Sequence, residues 1–506
     1  MKILKCHRSA LLLALLCCLS IETQANTSQA SPDLAAIDAY VSERMRDLHI
    51  PGAALGIVQG KQIVHLQLFG VADAAGRRIN AQTPFRIGSI TKSFTALAVM
   101  QLVEAGKIEL DAPVQRYLPW FRVADEQASA QITVRHLLNQ TSGFSTLAGN
   151  AYWNSQEALE TIVRRLQTVA LSQPVGARFQ YSNINYSIAG LIVETVSGQR
   201  YADYIAQHIF APLAMRHSYT TVAPALADGM AMGHLARMDR LVADIGVAPP
   251  VYQPAGFVTA SIEDMTHYAV AQLNGGRYGD SAILSPQGMT QLHRPAVSIG
   301  DIPIGPKATF YGMGWVVGPT NGTPTVWHNG DTGRFHAILL MAPERSLGIV
   351  LLANVSGLEH LIGIDDIAKG VLSLLQGQAP ATTSTTRILF RLFYWAILFA
   401  PELLLIGVAR GAWRWRRGDF AGLAQQPHAR RKQLWCILLM VLPNLAAVLF
   451  FLFGVPQISG LPLTAFRILY PDVAYALLAG IAIGIVWSGV YPALVLLPQC
   501  RQKAVA

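Results

Sequence analysis

Three apolar stretches follow one another near the C-terminus, at about Ile388 to Val408, Leu434 to Val455 and Val473 to Leu497. Each approaches the roughly 20 residues a helix needs to cross a bilayer. Three such runs in succession have no place in an ordinary soluble core, so residues 388–506 are expected to be a membrane anchor of three transmembrane helices. Composition agrees: 52% of the residues are apolar and 14% charged, and the mean hydropathy is +0.34. That much apolar material excludes a disordered chain.

The net charge of +9 suggests a polyanion binder until it is divided along the chain. Residues 387–506 carry twelve Lys/Arg against three acids and residues 1–25 three against one, which leaves 24 basic and 26 acidic residues in 26–386. The span between the ends therefore has no charge excess to neutralise a run of phosphates, and no nucleic-acid partner is expected. Basic residues also set orientation. Arg410, Arg414, Arg416, Arg417, Arg430, Arg431 and Lys432 lie between the first two apolar runs, whereas only Arg467 lies between the second and third. The side rich in Lys and Arg is cytoplasmic by the positive-inside rule, which places residues 26–386 on the periplasmic or extracellular side of a multi-pass inner-membrane protein.

The N-terminus points the same way. Lys2, Lys5 and Arg8 precede an apolar run from Ala10 to Leu19 and a small residue at Ala25, the pattern of an export signal cleaved near that alanine. The expected organisation is a signal peptide over 1–25, a catalytic candidate over 26–376, a small polar linker over 377–387 and the anchor over 388–506. Cys6, Cys17 and Cys18 fall in the signal and Cys436 and Cys500 in the anchor, so the exported span has neither a disulfide framework nor thiolate metal ligands. Glu402, beside Pro401 at membrane depth, is expected to face a neighbouring helix or the interface, and Arg391 to reach for the headgroups.

Within the exported span, the spacing of Leu34, Ile37, Val41, Met45 and Leu48 predicts a helix over Asp33 to Leu48. Ala53 to Val58 and Ile63 to Phe69 read as a hairpin, and Trp315 to Gly318, Ala337 to Met341 and Gly348 to Ala353 as further strands. Strands at both ends with helices between predict an α+β fold: an antiparallel sheet completed by the two termini, with an inserted helical region.

Three short segments carry candidate chemistry. In Gly88-Ser89-Ile90-Thr91-Lys92 a helix starts near Ser89, and the three-residue spacing puts the Lys92 amine on the same face as the Ser89 hydroxyl. A serine is a weak nucleophile unless a neighbouring group takes its proton. Tyr181-Ser182-Asn183 offers a phenol, whose phenolate an adjacent ammonium would favour, and an amide able to hold a substrate carbonyl. His328-Asn329-Gly330-Asp331 offers an imidazole to polarise the site or bond to Tyr181, a glycine permitting close approach, and at Asp331 a backbone N–H that can join that of Ser89 in an oxyanion hole.

Ser89-x-x-Lys92, Tyr181-x-Asn183 and His328-x-Gly330, in that order, resemble the three motifs of class C β-lactamases and their relatives among penicillin-binding proteins, D-aminopeptidases and esterases. The resemblance covers roughly residues 33 to 375, with accessory stretches at Thr133 to Gly143, Pro254 to Met265 and Tyr311 to Trp315. It implies a β-lactamase/transpeptidase-like sheet flanked by helices beside an all-helical region, with the site between them. It also implies an acyl-enzyme on Ser89, with Lys92 and Tyr181 handling protons, Asn183 touching substrate, and neither metal nor organic cofactor; no His-Glu-x-x-His string offers a metal alternative. His328 departs from the lysine usual in class C β-lactamases and looks more like the peptidase and esterase branches. The three-span anchor resembles that of the colibactin-maturation peptidase and similar prodrug-activating peptidases, which implies a peptide or acylated small-molecule substrate. A β-lactamase, a carboxylesterase and a non-catalytic penicillin-binding-like sensor are the alternatives. Pocket walls in the loops Ser145 to Gln156 and Ala225 to Gln253, and the oligomeric state, carry no readable signal.

Overall fold

The computed structural model describes residues 33–237, 240–299, 308–380, 385–419 and 428–496. The signal peptide expected over 1–25, part of the linker and the residues after Leu496 lie outside the described residues. Helix α1 (Leu34–Asp47) starts where Asp33 accepts the Ala36 N–H at 3.0 Å, and it buries Ile37, Val41 and Met45. Strands β1 (Gly52–Gln59) and β2 (Gln62–Gly70) form the expected hairpin. The other strands come from the far end of the domain: β3 (Val297–Ser298), β4 (Phe310–Tyr311), β5 (Val316–Thr320), β6 (Thr323–Asp331), β7 (His336–Ala342) and β8 (Leu347–Ala353).

Together they make an eight-stranded antiparallel sheet in the order β3-β4-β5-β6-β7-β8-β1-β2. The two ends of the domain meet in its middle, where β1 pairs with β8 from Ala53↔Ala353 to Gln59↔Leu347. Both faces are covered, so these strands read as continuous apolar runs whose alternate residues enter different layers. Ala53, Leu55, Ile57, Ile338, Leu340, Ile349 and Leu351 pack against α1 and the long helix Leu358–Leu375. Ala54, Val58, Leu339, Val350 and Leu352 face the inserted helical region. The strand expected from Trp315 begins one residue later and runs to Thr320, past Pro319, because each of its residues pairs with β6 down to Thr320↔Thr323.

Within the inserted region, α2 (Thr91–Glu104) is buried along almost its whole length, from Thr91 to Met100 without interruption. A helix buried on every side belongs in a core, and this one carries Lys92, with Ser89 in the turn just before it, to the boundary between sheet and helices. Helix α3 (Asn183–Ser197) packs on it and α4 (Ile262–Leu273) lies across β1 and β8. We number the Leu358–Leu375 helix α5.

The three apolar runs form helices α6 (Thr385–Arg416), α7 (Ala429–Leu449, continued to Ser459 through a π-turn) and, after the short α8 (Leu463–Leu469), α9 (Pro471–Leu496). Their membrane-length segments are 30, 31 and 26 residues long, and each contains an apolar stretch long enough to cross a bilayer. Leu403 and Leu439 are about 70% exposed, at 67% and 71%, as lipid-facing side chains would be. Of the two places expected for Glu402, a neighbouring helix or the interface, the structure does not give it the first: Glu402 is exposed on α6, next to the buried Pro401. Arg391 is largely exposed and lies 3.9 Å from Glu359. Arg387 pairs with Glu359 at 2.8 Å, and Phe466, Leu469 and Val473 join the apolar core that also holds α2 and α3.

Candidate active site

Ser89 sits in the tight turn Gly88–Ile90 that feeds α2. Gly88 has φ +54°, and a Cβ on it would lie 2.4 Å from the backbone nitrogen of Asp331. Only glycine satisfies both the left-handed conformation and that approach. One turn on, the Lys92 Nζ lies 3.0 Å from Ser89 Oγ, 2.7 Å from Asn183 Oδ1 and 2.6 Å from the Ala255 carbonyl oxygen. All three neighbours are neutral, and Lys92 is fully buried. Desolvation therefore holds its ammonium well below the ordinary lysine value.

Tyr181 ends the loop before α3, and its hydroxyl donates to Ser89 Oγ at 2.8 Å. Enclosure pushes this phenol above its ordinary value, and the bond with Ser89 only partly offsets the shift. Burial opposes the charged form of both groups, lowering the amine and raising the phenol, so it works against the ammonium–phenolate pair that proximity suggested. The Lys92 Nζ lies 4.7 Å from the centre of the Tyr181 ring. Asn183 accepts from Lys92 and donates through Nδ2 to Asn150 Oδ1 at 2.8 Å.

His328 is buried, and burial above all pushes its pKa down to about 3, so the ring is neutral. Its Nδ1 lies 2.6 Å from the Asn329 carbonyl oxygen, which requires the proton on that nitrogen, and leaves Nε2 to accept from the Tyr311 hydroxyl at 3.3 Å. The structure does not give His328 the expected bond to Tyr181; their ring centres are 6.4 Å apart and Tyr311 takes the imidazole instead. A Cβ on Gly330 would lie 1.9 Å from the Ile87 carbonyl oxygen and 2.6 Å from Ser89 N, so β6 and the serine turn meet backbone to backbone.

Register decides where the Asp331 N–H points. Thr332 donates to the Phe335 carbonyl, and pairing continues through Asp331↔His336 and Gly330↔Ala337. N–H groups alternate in direction along an antiparallel strand, so Asp331 turns its own away from β7. On that opposite edge β5 pairs no farther than Trp327, and the turn bearing Ser89 occupies the space beyond. The backbone nitrogens of Ser89 and Asp331 therefore lie on the two sides of the contact between the serine turn and β6. Every sequence-predicted site residue meets here: Ser89, Lys92, Tyr181, Asn183, His328, Gly330 and Asp331.

Several neighbours carried no readable signal. Asn150 holds Asn183 and donates through Nδ2 to the Gly460 carbonyl at 2.9 Å, across 310 residues of chain. Arg334 pairs with Asp244 at 2.6 Å and also donates to the Ile468 carbonyl. Leu469 lies against Gly333, and the Tyr470 phenol faces the Asp331 carboxyl group. The segment between α7 and α9 is thus packed against the end of the strand that carries Asp331.

Comparison with known proteins places this geometry. The family described as Beta-lactamase matches residues 37–370, which takes in every residue of the site and stops short of α6. Protein flp of Staphylococcus aureus strain MW2 is 29% identical over 339 residues, covering 64% of this chain and 65% of its own length, so the match leaves about a third of that relative unaccounted for. Penicillin-binding protein 4 of Amycolatopsis lactamdurans is 29% identical over 309 residues, 60% of this chain and 81% of the relative. The octameric penicillin-binding protein homologue from Pyrococcus abyssi superposes with a TM-score of 0.61 at 28% identity, over 73% of this chain and 82% of that one. With the family match covering well over half the chain, the protein belongs to the beta-lactamase family.

Proposed function

We propose that the protein is a membrane-anchored serine hydrolase that cleaves an amide or peptide bond through an acyl-Ser89 intermediate, its catalytic part lying outside the cytoplasmic membrane. The observation that carries the reading is the convergence of the Ser89 hydroxyl, a buried Lys92 amine and the Tyr181 phenol beside two backbone N–H groups. A neutral Lys92 has two protons and one lone pair. Its protons suit Asn183 Oδ1 and the Ala255 carbonyl, and its lone pair suits the Ser89 proton. As Oγ attacks the substrate carbonyl, that proton passes to Nζ and the oxyanion forms between the Ser89 and Asp331 N–H groups. Tyr181, hydrogen-bonded to Oγ, stands where the leaving nitrogen collects a proton as the C–N bond breaks. Water then releases the acyl group by the reverse of these transfers.

The neutral His328 supports an uncharged group at the place where a lysine would attract a carboxylate, which favours a D-amino-acid-containing peptide or an acylated precursor over an anionic antibiotic. The distribution of Lys and Arg around α6, α7 and α9 supports the extracytoplasmic placement. A fluorophosphonate probe tests the reading. It is expected to label the detergent-solubilised full-length protein and not Ser89→Ala; labelling that survives in Ser89→Ala would remove the nucleophile. A panel of a β-lactam, a short-chain ester, a D-aminoacyl amide and an N-acyl-D-asparagine amide separates the substrate classes, and turnover of the β-lactam alone would overturn the amide assignment. Acylation without product release would instead favour a sensor.

A further inference from the structure

The end of β6 has two faces. His328 and Gly330 turn toward the crevice, and Asn329 and Asp331 toward α5. Much of the layer between sheet and α5 is apolar, built from Ile338, Leu340, Leu351, Ile364 and Ile367. A polar chain interrupts it just where β6 ends. His336 is 1% exposed, with Nε2 2.9 Å from Asp365 Oδ1 and Nδ1 3.7 Å from Asp331 Oδ2. Asp365 accepts the Asn329 side-chain amide at 2.6 Å, while Asp331 accepts the Ser356 hydroxyl and, at 2.9 Å, the Gly333 N–H. Asp331 and His336 are directly opposed on neighbouring strands, in the pair type that brings side chains closest.

Burying charge is costly unless it is paired, and an apolar trio would fill this space more cheaply. Asp331 is also the residue whose backbone nitrogen meets the turn that carries Ser89. We propose that His336, held as a cation between Asp365 and Asp331, is a positioning residue that fixes the end of β6 so that the Asp331 N–H stays aimed at the oxyanion. The inference rests on the acyl-serine reading above. Burial alone would push the imidazole down, but Asp365 and then Asp331 outweigh it and raise its pKa to about 9. Other ionisable groups that interact with this cluster include His360 and Asp366 on α5, His328 across β6 and the Tyr470 phenol against Asp331; burial pushes His360 down.

The test uses full-length protein in detergent, p-nitrophenyl butyrate as reporter substrate and phenylboronic acid as a tetrahedral-adduct probe, with active sites counted by fluorophosphonate titration. His336→Gln keeps a hydrogen-bonding side chain and loses the charge. It is expected to lower kcat and boronate affinity together by about 10- to 100-fold with KM little changed, the pattern of a misaligned oxyanion donor. Its pH profile is also expected to lose a decline that the wild type shows near pH 9. A purely structural role would reduce the number of titratable sites and leave kcat per site intact. Asp365→Asn provides the second variant should His336→Gln fail to fold. If either folded variant keeps kcat per site and boronate affinity within about threefold of wild type, the positioning role is wrong. Wild type that takes no fluorophosphonate at Ser89 would instead show that the underlying acyl-serine reading has failed.

Discussion

Adding a single methyl group at Gly330 probes the contact on which the site depends. The Cβ of Gly330→Ala would start 1.9 Å from the Ile87 carbonyl oxygen, whereas an ordinary carbon–oxygen contact is about 3.3 Å. Both partners are backbone, so no side chain can swing aside; β6 and the serine turn must separate by about 1.4 Å, the difference between those two distances. A 1 Å misplacement at a reacting centre costs on the order of 100-fold, and loss of one oxyanion donor about 100- to 1,000-fold. Acylation of Ser89 by a fluorophosphonate should therefore slow by at least about 100-fold, with a stability loss of about 1–3 kcal/mol from overpacking. The assay is the labelling rate of full-length protein, followed by in-gel fluorescence, alongside a thermal melt. Gly407→Ala is the control: nothing lies within 4 Å of the added methyl in that α6 position, and labelling should be unchanged. Wild-type labelling in Gly330→Ala would refute the claim that backbone contact between β6 and the Ser89 turn sets the geometry.

Other outcomes follow from the same structure. Lys92→Ala and Tyr181→Phe should each slow acylation by at least about 100-fold, measured per folded molecule, as expected for lost proton transfer. Because burial lowers the Lys92 pKa and the neutral amine is the base, kcat/KM should rise with pH through an acid limb lying well below the ordinary lysine range, and a limb near pH 10 would show that Lys92 is not so perturbed. His336 has a folded pKa of about 9 against an ordinary 6.5, so its contribution to stability is complete below about pH 6.5 and is lost as pH rises through about 9. Urea unfolding from pH 6 to 10 should show that decline in wild type and a flatter curve in His336→Gln. Arg334→Ala removes both the Asp244 ion pair and the bond to the Ile468 carbonyl, and should lower the melting temperature of the full-length protein; an unchanged melt would mean the anchor contact is incidental.

The parts of the site legible in the sequence are those set by local spacing or strand direction. Ser89 and Lys92 are one helical turn apart, so their meeting follows from periodicity alone. Gly330 signals a close approach, although what approaches it, the Ile87 carbonyl, is 243 positions away in the chain and only the fold reveals it. The hairpin and the pairing of the domain's two ends are readable from short apolar runs at both ends of the domain, while the end of β5 is set by pairing across Pro319 and not by composition. Protonation was the larger miss. Proximity of Lys92 and Tyr181 suggests an ammonium–phenolate pair, but burial works against both charges, and residue order does not encode burial. Asn150 and the Gly460–Tyr470 segment were invisible for a similar reason: a loop and a membrane connector meet only once both have folded.

The account's central claim is that Ser89 carries the acyl group, and intact-protein mass spectrometry of the solubilised full-length chain tests it most directly. After incubation with a slowly deacylating p-nitrophenyl ester, the wild type should gain the mass of one acyl group, localised by peptide mapping to the peptide containing Ser89, and Ser89→Ala should gain none. An adduct of equal mass on Ser89→Ala, or one mapped to another residue, would contradict it.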